Sequence, residues 1–253
     1  MVIVSEELCA GCGLCAKDCV GGDIEIVDGK AKAKGVRCIQ CGHCEAICPC
    51  GAISLDGYDD EVEEFEEQTR LDPDELLKAM KTRRSIRQFK ADKVPSDVID
   101  MIIEAGRQAP TGSNAQKTGY VVIEKKLAVC EGLAVNLFGK LIKTGKKVIP
   151  ALKGMEIDKN FFFKKAPLVI VVTGGDKVSA SLAAQNMATM AEAHGLGVLF
   201  SGFFTMSVNF SSTIKKTLGL SKEKRAVTTL VIGYPDVKYK RNVHRKNADV
   251  IRI

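Results

Sequence analysis

Residues 9–19 read CAGCGLCAKDC, residues 38–48 read CIQCGHCEAIC, and Pro49 follows the second run. Both are C-x-x-C-x-x-C-x-x-x-C. Three thiols at intervals of three sit on one tight loop, where they can cap three corners of a compact inorganic core. The fourth corner must be reached from elsewhere. Gly11, Gly13 and Gly42 let the backbone turn closely around such a core. Zinc fits this pattern poorly, because zinc sites usually pair cysteines around a tetrahedral ion. Disulfides fit it less well still, since the first residues do not read as a signal peptide.

The two runs resemble those of the two-cluster bacterial ferredoxins, over roughly residues 1–55. The resemblance implies two [4Fe–4S] clusters with interleaved ligands: Cys9, Cys12, Cys15 and Cys48 for one, and Cys38, Cys41, Cys44 and Cys19 for the other. Val20 stands where such ferredoxins usually carry proline, which loosens a turn and removes no ligand. Cys130 reads as a small core residue, and Cys50 as the variable position after Pro49.

A chain of 253 residues suits two domains, and an apolar fraction of 45% suits a globular fold. The strongest apolar block, LVIVVT at 168–173, has the length of a strand and cannot cross a membrane. Thiolates of this kind point to a reducing cytoplasm. Charge is unevenly spread. Residues 1–55 hold five Lys/Arg against seven Asp/Glu, and residues 56–75 hold one against eleven. The remainder holds 31 against 13. Such blocks read either as solvated surface or as an acidic segment lying on a basic domain. No recognised nucleic-acid motif accompanies the basic part.

The expected organisation is an iron–sulfur domain at 1–55, an acidic linker with possible helical character at 56–72 and an α+β domain at 73–253. Asp72, Pro73 and Glu75 form a helix-start signal ahead of LLKAMKTRR. Ser96 is the expected cap of DVIDMIIEAGRQA, which stops at Pro110. Strands are expected at YVVIE, LVIVVTG and VTTLVIGY, and again at the final DVIRI. The alanines of the helix 179–194 permit close packing, with a second subunit as one candidate partner. Gly195 is its expected C-cap.

Four segments of the second part carry polar chemistry: RRSIRQF at 83–89, APTGSNAQ at 109–116, GLGVLFSGF at 195–203 and VIGYPDVKYKRNVHRK at 231–246. Guanidinium groups make bidentate contacts to phosphate, and a loop dense in hydroxyls and amides suits a polar planar ligand. In this order and spacing the segments resemble the FMN-dependent nitroreductase family, over about residues 74–253. The resemblance implies a homodimer with FMN between subunits. By motif, Arg83, Ser85 and Arg87 would hold the phosphate, ribityl chain or ring edge, with Arg84 contributing through its backbone. Pro110, Thr111, Ser113, Asn114 and Gln116 would line the flavin, and the backbone at Ser201 and Gly202 would approach N5. Arg245 and Lys246 would return to the phosphate. Lys117, Thr118 and Gly119 replace a common proline–aromatic pair, which bears on the ring contacts alone.

The fusion implies an oxidoreductase that passes electrons from a low-potential donor through the clusters to FMN. From there they reach an electron-poor small molecule: a nitro compound, quinone or conjugated acceptor. Two other routes stay open. NAD(P)H could reduce FMN with the clusters as exit, or the protein could be a carrier between proteins. The three histidines, His43, His194 and His244, form no triad. Residues 127–165 carry eight of the lysines together with Phe138 and Phe161 to Phe163. They are expected either to cover the flavin and stack on an anionic aromatic acceptor, or to divide between surface and core.

Overall fold

The protein is described from a computed structural model covering residues 1–58, 60, 62–65, 69–145 and 156–253. It divides into two units: residues 1–69 with 111–115, and residues 70–110 with 116–253.

The first unit repeats one design twice. Strand β1 (Val2–Val4) pairs antiparallel with β4 (Ile53–Leu55), and β2 (Ile24–Val27) with β3 (Lys30–Ala33). Asp28 and Gly29 close the second hairpin at φ of 50° and 73°, the two left-handed residues that a tight two-residue hairpin turn needs. Two short helices, α1 (Leu14–Asp18) and α2 (His43–Ala46), start at Gly13 and Gly42, with φ of 74° and 77°. Each glycine directly follows a run's second cysteine, so the chain turns sharply there and buries the third, Cys15 and Cys44. The core is Val2, Ile24, Ala31 and Ile53 around those two thiols. The described residues between 56 and 71 form no helix; residues 59, 61 and 66–68 lie outside the described part.

The second unit is α+β, as expected. Strands β5 (Gly119–Ile123), β6 (Leu168–Thr173), β7 (Gly197–Phe200) and β8 (Ala226–Gly233) form an antiparallel sheet in the order β5-β6-β8-β7. Every residue of β6 is buried, because helices cover both sheet faces. Ile170 and Val172 meet α4 (Ser96–Arg107) and α6 (Lys177–Ala193) through Ile102, Ala184 and Met187. Val169 and Val171 belong to a core with α5 (Leu127–Gly145), α7 (Gly202–Phe210) and α8 (Ser212–Thr217) through Ala134, Phe204 and Ile214. Each fully buried side chain of this size contributes about 1.5–3 kcal/mol.

Several details differ from the sequence reading. Pro95, not Ser96, is the N-cap residue of α4, its fixed φ of −60° and extended ψ feeding the helix. The alanines of α6, including Ala180, Ala184, Ala188 and Ala191, pack into the core of their own chain and so are no argument for a second subunit. Asp176, unforeseen, caps α6 by accepting the Val178 and Ser179 N–H groups at 3.0 and 2.9 Å. Gly195 follows the C-cap His194 at φ 73°. The segment DVIRI is fully exposed and forms no strand. Phe138, Phe162 and Phe163 are core residues, stacked edge-to-face with one another and with Phe204, and are not free to stack on an acceptor. Lys146, Lys147 and Lys153 lie outside the described residues.

Candidate cofactor sites

In the first unit the interleaving is visible. One cavity is lined by Cys9, Cys12, Cys15 and Cys48, with Cys50 beside them. A second is lined by Cys19, Cys38, Cys41 and Cys44. Each run thus sends its fourth thiol to the cavity formed by the other. Among the described residues no three His, Cys, Asp or Glu side chains converge on a position for a single ion.

Backbone donors surround the sulfurs. Ala31 N–H donates to Cys9 Sγ, Ala52 N–H to Cys48 Sγ, Asp23 N–H to Cys19 Sγ and Gln40 N–H to Cys38 Sγ, each at 3.3 Å. Such bonds favour the thiolate, and the one from Ala31 leads in holding the Cys9 thiol below its usual range. Burial pushes Cys15 up, and Cys44 up to about 11. Gly11 is needed for a different reason: a Cβ there would lie 2.1 Å from the Gly29 carbonyl oxygen. His43 Nδ1 lies 3.0 Å from Asp18 Oδ2 on the exposed side of α2.

Spacing did not reveal Asp23. This buried carboxylate accepts the N–H groups of Gly35, Val36 and Arg37 at 3.0, 2.8 and 2.7 Å. It shapes the chain that leads into Cys38. Those N–H groups, that of Arg37 foremost, hold its carboxyl below the usual range.

In the second unit, α3 (Pro73–Thr82) starts as read, with Asp72 Oδ1 accepting the Glu75 N–H at 2.8 Å. It ends before the arginines, and Arg83 is its C-cap. The chain then runs beside β7. Ser85 bridges Val198, and Ile86 N–H donates to the Val198 carbonyl at 3.1 Å. Gly197 permits this approach, since a Cβ there would lie 2.3 Å from Ile86 Cγ1. Arg83 and Arg84 line a cavity of about 630 Å³ whose wall also holds the carboxylates Asp72, Glu75 and Glu192. Arg83 Nη1 lies 3.8 Å from Glu192 Oε1. Burial raises the Glu192 carboxyl, and Arg83 opposes that rise. The Nη1 atoms of both arginines are buried without a hydrogen-bond partner. A buried guanidinium nitrogen left without an acceptor is costly, and an oxyanion is one group that could supply it. Arg87 is exposed.

Ser201 and Gly202 follow β7 directly, three and four residues after Val198, the bridge partner of Ser85. Ser201 is buried, and its Oγ donates to the Phe162 carbonyl at 3.2 Å. Gly202 opens α7 and is exposed. Pro110 and Gln116 belong to the second unit, but Thr111, Ser113 and Asn114 belong to the first. There Asn114 Nδ2 donates to the Gln40 carbonyl at 2.6 Å, so one amide hydrogen expected to read a flavin already has a partner. Ser113, Asn114 and Gln116 all have φ near 50°. Arg245 and Lys246 are exposed in a tail without regular structure and are not brought to the other residues.

A model of the nitroreductase family matches residues 80–234, more than half of the chain, and a model of the 4Fe-4S dicluster domain matches residues 1–49. The chain belongs to the nitroreductase family and carries a 4Fe-4S dicluster domain ahead of that region. An iodotyrosine deiodinase of Thermotoga neapolitana is 27% identical over 190 residues, covering 66% of this chain and 94% of that protein. A component of an ion-translocating oxidoreductase complex from Methanosarcina acetivorans is 42% identical over 52 residues, covering 21% of this chain and 20% of that component. The chain therefore spans a small part of that component, and it spans 64% of an iodotyrosine deiodinase of Hydra vulgaris. A nitroreductase with bound FMN from Bacteroides fragilis NCTC 9343 shares the fold at a TM-score of 0.57 and 19% identity, covering 70% of this chain and 99% of that one. No helix among the described residues is long and apolar enough to cross a membrane.

Proposed function

We propose that this protein is an iron–sulfur flavoprotein oxidoreductase, using two [4Fe–4S] clusters and FMN to move electrons from a low-potential donor to an electron-poor small molecule. One observation carries the reading. A single chain of the nitroreductase family holds two four-thiol cavities and two buried guanidinium nitrogens without a hydrogen-bond partner. When bound, the clusters carry single electrons and FMN gathers them for delivery in pairs.

The chain's own residues do the rest. Cys9, Cys12, Cys15 and Cys48 hold one cluster, and Cys19, Cys38, Cys41 and Cys44 hold the other, with backbone N–H groups stabilising the thiolates. Arg83 and Arg84 anchor the FMN phosphate, Ser85 and Arg87 add donors, and Pro110 and Gln116 of the same unit line the ring. Ser201, fixed by the Phe162 carbonyl, holds the start of α7 toward N5, with Gly202 as its first residue. Arg245 and Lys246 reach the phosphate once a homodimer orders the tail. Acceptors include nitro compounds, quinones and conjugated systems, and the likeness to an iodotyrosine deiodinase adds halogenated aromatic acids. The expected compartment is the cytoplasm.

Anaerobic stopped-flow of the reconstituted protein tests the direction of flow. Reduced ferredoxin should bleach the iron–sulfur absorbance before the flavin absorbance. Flavin bleaching first by NADH or NADPH would reverse the route.

A further inference from the structure

The internal repeat of the first unit keeps one backbone hydrogen bond at each fourth thiol and is unequal in its charge. Four residues after Cys19, the Asp23 N–H donates to Cys19 Sγ at 3.3 Å. Four residues after Cys48, the Ala52 N–H donates to Cys48 Sγ at the same distance. Asp23 and Ala52 each line their own thiol cavity, and each is 3% exposed. The two cavities therefore share a backbone contact, but one has a carboxylate in its wall and the other a methyl group.

A second asymmetry points the same way. Lys30, half-buried, donates from Nζ to the Cys9 carbonyl at 2.8 Å, which places an ammonium beside the cavity of Cys9, Cys12, Cys15 and Cys48. The charges that oppose this pattern are exposed: Arg37 lines the Asp23 cavity, Lys34 acts on Asp23, and Glu6 acts on Cys9. Water and salt screen the exposed charges more strongly than a carboxylate that is 3% exposed. Three N–H partners hold the Asp23 side chain in the cavity wall.

We propose that Asp23 and Lys30 poise the two cluster sites unequally, the site of Cys19, Cys38, Cys41 and Cys44 being the harder to reduce. Net charge near a cluster helps to set its potential, and a buried anion disfavours an added electron. A single electron from a one-electron donor then rests on the cluster held by Cys9, Cys12, Cys15 and Cys48. This inference rests on the cluster reading above. Iron and sulfide content of the same sample separates failure of that reading from failure of this one.

The test is an anaerobic potentiometric titration of the holoprotein followed by electron paramagnetic resonance, with Cys19→Ser and Cys48→Ser assigning the two signals. At least a tenfold preference for one cluster is expected, a gap of about 59 mV or more for a one-electron couple. Asp23→Asn should raise the lower potential and leave the other in place. Lys30→Gln should lower the higher one, so that either change narrows the gap. Equal potentials in the unaltered protein would overturn the proposal, as would an Asp23→Asn shift common to both clusters or absent from both. If Asp23→Asn fails to assemble a cluster, Lys30→Gln decides alone: a narrowed gap supports the proposal, and an unchanged or widened gap overturns it.

Discussion

Glu131 Oε1 accepts the backbone N–H of Phe163 at 2.8 Å, and that of Phe162 at 3.0 Å, from inside the core. Phe162 in turn accepts Ser201 Oγ–H through its carbonyl. A buried carboxylate on α5 therefore fixes the segment that fixes the start of α7. Burial pushes the Glu131 carboxyl above its ordinary range, against the two N–H bonds that lower it.

Replacing this group tests the arrangement. Glu131→Ala leaves two buried N–H groups unsatisfied, which costs about 1–3 kcal/mol each. Glu131→Gln keeps an acceptor and should be milder. A carboxyl whose folded-state pKa is raised stabilises most fully below its unfolded pKa, and that contribution is lost as pH rises through the folded pKa. Denaturant unfolding of the unaltered protein should therefore lose stability as pH climbs above the model-peptide value of 4.5, relative to Glu131→Gln. Parallel pH dependences in the two proteins would contradict a titrating Glu131.

The arginines that follow α3 should matter to flavin binding and not to the clusters. Arg83→Ala or Arg84→Ala removes a charged donor, worth roughly 1.5–3 kcal/mol, or about ten- to a hundredfold in FMN affinity. The iron–sulfur spectrum should persist. Fluorescence titration of the apoprotein with FMN reads the effect, and unchanged affinity in both variants would move the phosphate elsewhere.

Much of this was legible in the sequence. The cysteine runs specify local geometry so tightly that both thiol cavities form with the expected four members each. Asp72 and Pro73 started α3 because capping is a local interaction. What failed depended on partners distant in sequence. The alanines of α6 look alike whether they face α4 or a second chain, and Phe162 looks alike in a core or in a lid. Asp23 was missed because it binds a loop twelve to fourteen residues away; aligning the two halves of the repeat, with Asp23 opposite Ala52, would have marked it. DVIRI has strand composition but pairs with no strand of the sheet, and β-propensity does not act without a partner strand.

The crossed ligand sets give an asymmetric outcome. Cys19→Ala should damage the cluster held with Cys38, Cys41 and Cys44, and spare the one adjoining it in sequence. Iron content should fall by up to half while one set of cluster signals persists. Loss of the signal that Cys15→Ser also removes would contradict the crossing.

Oligomeric state follows from exposed apolar surface. Phe203, Met206 and Phe210 stand out from α7, as do Ile251 and Ile253 from the tail. Light scattering at low micromolar concentration should give about twice the chain mass of 27.3 kDa. A monomer that keeps stoichiometric FMN would contradict a flavin held between subunits.

Cofactor content of anaerobically purified protein tests the central claim most directly. The account predicts about eight irons, about eight inorganic sulfides and about one FMN per chain. Stoichiometric zinc without inorganic sulfide, or a chain that binds no flavin, would contradict it.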